Sequence, residues 1–456
     1  MNKFAVKTVE ELCADGVLFP PMDGNHGEIH PKSSDYVPTG IPFIMASDLS
    51  NGRVDTKNCS FISLEQANRL RKGFSIAGDV LLTHKATIGR RAVVEDLNCP
   101  FIMLTPQVTY YRIKNPSVLC SRYLYYYFNS AGFLSLLNQW SDAGSTRAYL
   151  GITGQKKLPI VVPPIEWQRW IVELLGALDD KIQLNQQMNE TLDAMAQAIF
   201  RDWFVDFGPT RRKIEGATDP IETMGGLVTD PDRARRLAKL FPASMSDDGL
   251  PDGWKLATVS SVTKMLKRGL TPAYIEEGIP VINQRCIRGR SIDFSFAREH
   301  DVERRAPKER LLQMGDVLVN STGVGTLGRV ATVRRLAGPA TVDSHVTICR
   351  ADSSKISPLI LSLFLETSEG QIAGMGQGST GQTELSPSSL GGLALAVASG
   401  EVQRSFESAV VPLRQLSSTN GDQNHTLAAT RDLLLPKLMS GEIGLREAVQ
   451  QLEAAQ

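Results

Sequence analysis

The chain has 456 residues, enough for two or three domains, and its 42% hydrophobic and 21% charged residues are those of an ordinary soluble protein. No run of 18 apolar residues occurs and residues 1–13 lack the apolar core of a signal peptide, so we expect a cytoplasmic protein without a transmembrane helix. The net charge of zero favours no class of partner, and six cysteines without CxxC spacing predict buried thiols rather than a disulfide framework or a zinc site.

The charge is distributed unevenly along the chain. Residues 1–165 carry 17 basic and 13 acidic side chains, and residues 251–400 carry 17 and 14. Residues 166–250 carry 10 and 15, and residues 401–456 carry 5 and 7. Two mildly basic blocks therefore alternate with two acidic blocks. A surplus this small is weak evidence for contact with phosphate.

The first basic block, residues 1–165, predicts a globular head of mixed α/β (α+β) structure, which we call head 1. Short β-like runs at 80–83 and 91–94 are broken by Gly and Thr, and a helix is predicted over 121–137. A small polar loop follows, and then an apolar strand over 158–162.

The next segment, residues 166–207, predicts a long helix that we call arm 1. Its apolar positions alternate in spacings of four and three, which is the seam of a coiled coil. The seam residues are Ile171, Leu175, Leu178, Ile182, Asn185, Asn189, Leu192, Ala196, Ile199 and Trp203. Residues 208–250 are rich in Pro, Gly and Asp, and predict a linker with one short helix over 232–240.

The rest of the chain repeats the first part. Matching pairs include Gly40-Ile-Pro-Phe-Ile44 with Gly278-Ile-Pro-Val-Ile282, Gly78-Asp-Val-Leu81 with Gly315-Asp-Val-Leu318, Ile88-Gly-Arg90 with Leu327-Gly-Arg329, and Gly144-Ser-Thr146 with Gly378-Ser-Thr380. The offset between matches stays between 234 and 239 residues. The chain is therefore two copies of one module, and residues 251–400 predict head 2, with strands at 316–319, 329–333 and 393–397 and a helix over 358–370.

Residues 401–441 predict a second helical arm, arm 2, before a tail over 442–456. Its seam, shifted from that of arm 1, is Val410, Leu413, Ser417, Asn420, Asn424, Leu427, Arg431, Leu434 and Leu438, and Gly421 is expected to interrupt it. Asn185 and Asn189 match Asn420 and Asn424, and buried asparagines fix coiled-coil register because a slip leaves the amide unpaired. We therefore expect the arms to pair with each other, with an ordinary pair of amphipathic core helices as the alternative.

No active-site motif is recognisable. Gly323-Val-Gly-Thr-Leu-Gly328 matches GxGxxG, but a β-like run follows it where a dinucleotide site requires a helix. His26 and His30 are separated by Gly27 and are followed by Pro31, so they predict solvated loop residues rather than metal ligands. Phosphate loops and nucleophile elbows are absent. A repeated protein without catalytic residues is expected to bind something that itself has two parts.

Several motifs, in this order, resemble the specificity (S) subunits of type I restriction–modification systems. They are Gly40-Ile-Pro-Phe-Ile44, Gly78-Asp-Val-Leu81, Ala198-Ile-Phe-Arg-Asp-Trp-Phe-Val-Asp-Phe207, Leu250-Pro-Asp-Gly-Trp254 and Leu433-Leu-Leu-Pro-Lys-Leu-Met-Ser-Gly-Glu-Ile443. The resemblance covers nearly the whole chain except the linker.

The resemblance implies two target recognition domains, each reading half of a bipartite double-stranded DNA site, and two arms forming an antiparallel coiled coil. It also implies a non-catalytic chain without a cofactor, since two modification subunits would bring S-adenosylmethionine and methylate adenine, and restriction (motor-nuclease) subunits would cleave. An arm of about 38 residues is roughly 57 Å long, more than one turn of B-DNA at about 34 Å. Heads at the two ends of such an arm could occupy separate half-sites.

Base-reading residues of the family vary with the DNA sequence read, so only candidates in polar loops after strands can be named. They are Lys85, Thr87, Arg90, Arg91, Ser145, Thr146 and Arg147 in head 1, and Asn320, Ser321, Thr322, Arg329, Ser379, Thr380 and Gln382 in head 2. For each loop a solvated turn is the competing interpretation. The equivalent residues Arg90 and Arg329 fit either a shared phosphate contact or a shared structural salt bridge.

Two other classes of function stay open at this point. A two-headed coiled-coil scaffold would present protein-binding domains without DNA specificity, and neighbouring genes for modification and restriction subunits would argue against it. An enzyme with an unrecognised site would be exposed by methylation assays on the chain alone.

Overall fold

A computed structural model of the protein describes residues 4–141, 149–376, 383–444, 447, 448 and 450. The described residues form two compact units. Unit 1 runs up to Leu184 and resumes at Asp422, and unit 2 runs from Asn185 to Gly421. Each unit therefore contains one head, one half of arm 1 and one half of arm 2. No helix in the described ranges is both long and apolar enough to cross a membrane.

Unit 1 contains head 1, which is built mainly of short strands. In chain order the strands are β1 (Ala5–Thr8), β2 (Met22–Asp23), β3 (Tyr36–Val37), β4 (Ile41–Ile44), β5 (Leu49–Ser50), β6 (Arg53–Val54), β7 (Ser60–Ile62), β8 (Phe74–Ser75), β9 (Val80–Thr83), β10 (Arg91–Val93), β11 (Ile102–Leu104), β12 (Val108–Tyr111) and β13 (Pro159–Val162). They form sheets in the orders β10-β9-β12-β2 and β3-β7-β4-β11-β8, with β5-β6 and β1-β13 as separate antiparallel pairs.

Short helices cover these sheets. They are α1 (Val9–Ala14), α2 (Leu64–Asn68), α3 (Ser121–Asn129), α4 (Ala131–Ser141) and α5 (Ile152–Lys156), with 3-10 turns at Gly27–Ile29, Ser33–Asp35 and Ala46–Asp48. Arm 1 follows as α6 (Ile165–Phe204). The buried aromatic face of α3, which includes Tyr123 and Phe128, packs with arm residues such as Ile171 in one hydrophobic core.

Unit 2 contains the linker and head 2. The helices are α7 (Gly208–Ile214), α8 (Pro220–Thr223), α9 (Pro231–Ala238), α10 (Val259–Val262), α11 (Pro358–Thr367), α12 (Glu369–Gly374), α13 (Pro387–Gly391) and arm 2, α14 (Gly400–Ser440), with 3-10 turns at Phe294–Phe296 and Lys308–Arg310. The strands are β14 (Lys255–Thr258), β15 (Thr263–Arg268), β16 (Tyr274–Ile275), β17 (Ile279–Ile282), β18 (Ile287–Arg288), β19 (Ser291–Ile292), β20 (Arg298–His300), β21 (Val317–Asn320), β22 (Val330–Thr332), β23 (Thr341–Val342), β24 (Val346–Ala351) and β25 (Ala394–Val397).

The strand topology repeats between the heads. The order β22-β21-β24-β15 in head 2 corresponds to β10-β9-β12-β2 in head 1, and β16-β20-β17-β23 corresponds to β3-β7-β4-β11. Each head has one parallel pairing in its second sheet, β4 with β11 and β17 with β23. In each head the first and last strands pair antiparallel, β1 with β13 and β14 with β25. The sequence repeat is therefore a repeat of fold.

In unit 1, the first half of arm 1 packs against the second half of arm 2. The indole Nε1 of Trp167 donates to the carbonyl of Leu438 at 3.3 Å, and Arg431 Nη1 lies 2.7 Å from Asp179 Oδ1. Contacts therefore move backward along arm 2 as they move forward along arm 1, which is the antiparallel arrangement.

In unit 2, the second half of arm 1 packs against the first half of arm 2 in the same sense. Asn420 Nδ2 donates to Asn189 Oδ1 at 2.9 Å, and Arg414 Nη1 donates to Asp193 Oδ1 at 2.5 Å. Arg414 also donates to Glu366 on α11 at 2.9 Å, so a buried ion network joins head 2 to the arms. The predicted fold class, two α/β heads with two long antiparallel helices, is confirmed.

Several predicted elements differ in detail. The helix expected over 121–137 is two helices because Ser130 leaves helical geometry and its hydroxyl bonds the carbonyl of Tyr127. The helix expected over 358–370 likewise divides at Ser368. Arm 2 is continuous through Gly421, so the expected interruption is wrong, because packing of its apolar face outweighs the modest helix penalty of one glycine.

The linker and the cysteines also depart from expectation. Residues 208–250 contain three helices rather than one, and Met224, Phe241 and other apolar residues of this segment join the core of unit 2. All six cysteines are free thiols. Three of them, Cys13, Cys99 and Cys120, are only half-buried, so the prediction of buried thiols is wrong for these.

Candidate nucleic-acid interface

The candidate loops of each head lie at one β-hairpin. In head 1, β9 and β10 pair antiparallel and are joined by residues 84–90, and in head 2, β21 and β22 are joined by residues 321–329. Tyr149 bridges to Lys85, and Glu384 bridges to Thr322. In each head, the hairpin loop thus contacts a residue that lies shortly after the second candidate loop, which is 145–147 in head 1 and 379–382 in head 2. The candidates of those second loops, Ser145, Thr146, Arg147, Ser379, Thr380 and Gln382, lie outside the described residues.

Two candidates of head 1 project from the hairpin loop into solvent. The side chains of Lys85 and Thr87 are exposed, and the Lys85 ammonium lies 5.9 Å from the centre of the Tyr149 ring. A cation and a hydroxyl on an exposed hairpin loop are chemically suited to phosphate oxygens and base edges.

Three of the four candidate arginines form hydrogen bonds within the protein, although Arg90 is also exposed, and the fourth, Arg147, lies outside the described residues. Arg90 Nη1 donates to the carbonyl of Ala46 at 3.0 Å, and Arg329 donates to the carbonyls of Gly325 at 2.9 Å and Ile287 at 3.5 Å. Neither guanidinium forms an ion pair among the described residues, so the shared structural contact is a hydrogen bond to backbone rather than a salt bridge. Arg91 donates to the carbonyl of Gly89 at 2.7 Å, and burial lowers the pKa of its guanidinium.

The candidates at the start of the head 2 loop are buried. Asn320 Nδ2 donates to the carbonyl of Gln284 at 3.0 Å, and the Ser321 hydroxyl lies 2.6 Å from that of Thr347. The Thr322 hydroxyl contacts His345 Nδ1 at 2.8 Å and the Gln284 side chain at 3.2 Å. These residues hold the hairpin loop in its conformation. His345, which belongs to the same hydrogen-bond network, is exposed at the surface.

A polar cluster of head 1 was missed by the sequence reasoning. Asp23 accepts from His26 at 2.8 Å and from Lys72, and buried His84 Nε2 lies 4.0 Å from the same carboxylate. Burial would raise the pKa of Asp23, but the hydrogen bonds from Lys72 and His26 lower it below its ordinary value. Burial lowers the pKa of His84. Lys72 and His84 are far from Asp23 and His26 in sequence, so no spacing signals the cluster.

The histidines of this region were predicted to be solvated. His26 is exposed but bonded to Asp23, whereas His30 is half-buried, with its ring centre 5.5 Å from that of Phe43. Burial lowers the pKa of His30. The prediction is therefore wrong for His30. Among the described residues, no group of three potential metal ligands occurs.

A buried ion pair supports each hairpin. In head 1, Arg112 donates from Nε and Nη2 to both oxygens of Asp79 at 2.8 Å. In head 2, Arg350 donates in the same way to Asp316 at 2.7 Å. Each aspartate precedes the first strand of its hairpin, so the pair ties that strand to its neighbour in the sheet. The repeated Gly-Asp pair, Gly78-Asp79 and Gly315-Asp316, was the available signal.

Comparison with known proteins places these features in context. Residues 18–194 match the family model described as the type I restriction modification DNA specificity domain. The chain is 27% identical over 328 residues to the type I restriction enzyme HindI specificity subunit of Haemophilus influenzae, covering 63% of this chain and 69% of that one. It is 24% identical over 429 residues to the MjaIX specificity subunit of Methanocaldococcus jannaschii, covering 91% and 90%.

A solved structure shares the fold. The crystal structure of the S subunit of a type I restriction–modification system from M. genitalium matches with a TM-score of 0.50 and 14% sequence identity, over 96% of both chains. This structural similarity supports a common fold.

Proposed function

We propose that the chain is a specificity subunit of a type I restriction–modification system, in which each head reads one half of a bipartite site in double-stranded DNA. The observation that carries the proposal is the repeated hairpin. Both heads have the same sheet order and the same buried Asp–Arg pair beneath an equivalent polar loop. A module that occurs twice suits a target with two parts.

The hairpin is the element we assign to base reading. A two-stranded β-ribbon fits the major groove of B-DNA, where every base pair presents a distinct pattern of donors, acceptors and methyl groups. In head 1 the loop offers Lys85 and Thr87 to solvent, and in head 2 His345 lies at the surface beside the loop. Arg90, Arg91 and Arg329, together with the buried Asn320, Ser321 and Thr322, then position the loop through their internal hydrogen bonds.

The arms are the surfaces we assign to the modification subunits. In unit 2, Met188 and Met195 on arm 1 and Leu416 on arm 2 are exposed although they lie on long helices. In unit 1, Leu184 and Leu433 are exposed on the same helices. Met188 and Met195 are seven residues apart and therefore lie on one face of arm 1, where a protein partner could cover both side chains. Two modification subunits would bind here, with restriction subunits joining the assembly.

We infer that this chain contributes recognition rather than catalysis. S-adenosylmethionine would be held by the modification subunits, which would methylate adenine, and the motor-nuclease subunits would cleave. Isothermal titration of the purified chain with S-adenosylmethionine is expected to give no heat of binding. Stoichiometric binding would contradict this assignment. The scaffold function considered as the alternative receives no support from the comparisons.

The experiment that tests bipartite reading is an exchange of head 2. Residues 255–392 are replaced by the equivalent region of a relative with a different target, and the methylome is sequenced in a host that carries the modification subunits. One half-site is expected to change while the other half-site stays intact. The reciprocal exchange of head 1 is the matched control, and it should alter the opposite half. A change in both halves, or in neither, would refute independent reading.

A further inference from the structure

The GxGxxG run of head 2 forms the tip of the hairpin between β21 and β22. Gly323, Gly325 and Gly328 all have positive φ, at 100°, 72° and 84°. A side chain at Gly323 would also collide with Thr326 and Gln284, with a Cβ only 2.3 Å from the Thr326 hydroxyl. The glycines are thus required by a tight turn rather than by a bound dinucleotide.

Internal hydrogen bonds hold the tip in one conformation. The backbone N–H of Leu327 donates to the carbonyl of Gly323 at 2.9 Å, and the Arg329 guanidinium donates to the carbonyl of Gly325 at 2.9 Å. The Thr326 hydroxyl donates to the carbonyl of Thr322 at 3.2 Å. The backbone on both sides of residue 324 is therefore restrained before any ligand binds.

The residue presented by this tip is a valine. Val324 is 86% exposed, the highest value among the large hydrophobic side chains that the structure describes, and the next is Leu256 at 64%. Its two methyl groups sit on a β-branched side chain with few rotamers, which loses little entropy when it forms a contact. The restrained turn therefore holds the Val324 side chain in solvent beside a polar network. This arrangement is suited to contact with an apolar group of an otherwise polar ligand.

The equivalent tip of head 1 has different chemistry. Gly89 matches Gly328, and Ala86 has a positive φ of 65° where Gly325 has a φ of 72°. The strand bridges, Lys85 with Tyr149 and Thr322 with Glu384, make Lys85 the counterpart of Thr322, so the loop of head 2 has two additional residues, Gly323 and Val324. The longer hairpin of head 2 therefore presents an apolar group, whereas the shorter hairpin of head 1 exposes Lys85 and Thr87, as expected for loops that distinguish two half-sites.

We propose that Val324 contacts the C5-methyl group of a thymine in the half-site read by head 2. This inference rests on the proposed function. Among the groups that base pairs display in the major groove, the thymine methyl is the apolar one, and small apolar side chains recognise it. Val324 is then a specificity-determining residue of head 2, and the exposed Lys85 of head 1 has a different base or phosphate partner.

The test uses the chain assembled with its modification subunits. Methylomes of the wild-type and head-exchanged complexes first define the half-site of head 2. Methylation rates at subsaturating DNA are then measured on duplexes in which each thymine of that half-site is replaced singly by uracil, which removes only the methyl group. The complexes compared are wild type, Val324→Ala and the matched control Val302→Ala, which shortens another exposed valine of head 2.

At one thymine position, the wild type and Val302→Ala complexes are expected to prefer thymine over uracil by about fourfold, the effect of burying roughly one methyl group. Val324→Ala should bring this ratio close to one and slow methylation of the thymine duplex. The inference would be overturned by any of three results: the half-site contains no thymine, the wild type shows no preference for thymine over uracil, or Val324→Ala retains that preference. Complexes without any sequence-specific methylation would instead refute the proposed function itself.

Discussion

The buried ion pair beneath the hairpin of head 2 gives a quantitative prediction. Asp316 is 1% exposed and receives two hydrogen bonds of 2.7 Å from Arg350, whose side chain is 11% exposed. Asp316→Asn keeps the shape of the side chain but removes its charge, so the guanidinium stays buried without a counterion. Breaking a buried pair in this way costs about 3–5 kcal/mol.

The equivalent pair of head 1 provides an internal comparison. The Arg112 side chain is 26% exposed, so water screens it more effectively than Arg350 once Asp79 is replaced by Asn. We expect Asp79→Asn to cost about 1.5–3 kcal/mol, the range for hydrogen bonds to charged groups. The two substitutions are the same chemical change; the sites differ in the burial of the arginine and in the hydroxyl of Ser75, which donates to Asp79.

Scanning calorimetry of the purified chain measures both effects, with hydrogen exchange of peptides from each head to assign the transitions. For a unit of this size about 2–4 °C is lost per kcal/mol, so Asp316→Asn should lower the midpoint of unit 2 by at least about 6 °C. Glu277→Gln, an exposed carboxylate of head 2, is the matched control and should be nearly silent. The reasoning fails if Asp316→Asn costs less than about 0.5 kcal/mol, or if Asp79→Asn costs as much.

Three further predictions concern the arms and the hairpin. Burial opposes ionisation of Glu366, but the Arg414 guanidinium lowers the pKa of this carboxyl below the ordinary glutamate value of about 4.3. The ionised carboxylate therefore stabilises the fold above that pH, and this stabilisation is lost as the pH falls through the pKa of the folded state. Glu366→Gln should therefore lower the melting temperature at pH 7, and the difference in melting temperature between wild type and variant should be smaller near pH 3. The same difference at both pH values would contradict this. Asn420→Leu alone should destabilise unit 2 in calorimetry, because it leaves the Asn189 amide without its hydrogen-bond partner. Replacement of both Asn189 and Asn420 by Leu should instead stabilise unit 2 and permit altered pairing of the arms. Equal effects of the single and double changes would refute a shared polar layer. Arg329→Ala should speed hydrogen exchange in the 321–329 loop but not in β21, and uniform loosening of head 2 would argue against a local role.

The sequence alone was sufficient for features that depend on local or periodic patterns. A constant offset between matching motifs implies a duplicated fold, because the same residues meet the same steric requirements twice. Spacings of four and three between Ile171 and Trp203 predict a helix with one apolar face. Each predicted seam residue of both arms is buried or half-buried in the structure, including Arg431, whose stem and charge face Asp179.

The contacts that build the candidate site were decided by tertiary structure. Asp23, Lys72 and His84 meet in one cluster, and Arg112 reaches Asp79, only after the strands pair in their observed register. No local pattern encodes these distances. For the same reason sequence reasoning placed Asn320 and Ser321 in an exposed loop, whereas both are buried, with Asn320 bonded to the backbone of Gln284 and Ser321 to the side chain of Thr347.

The hairpin tip shows both contributions in a single segment. The sequence excluded a dinucleotide site, because a β-like run follows Gly328, and the structure has a strand there. Only the folded chain reveals that Val324 stands in water between two restrained glycines, since exposure depends on which surfaces are left uncovered after the sheets and helices pack. The backbone preferences of the glycines determine the turn, and the packing of distant segments determines that the turn leaves Val324 exposed.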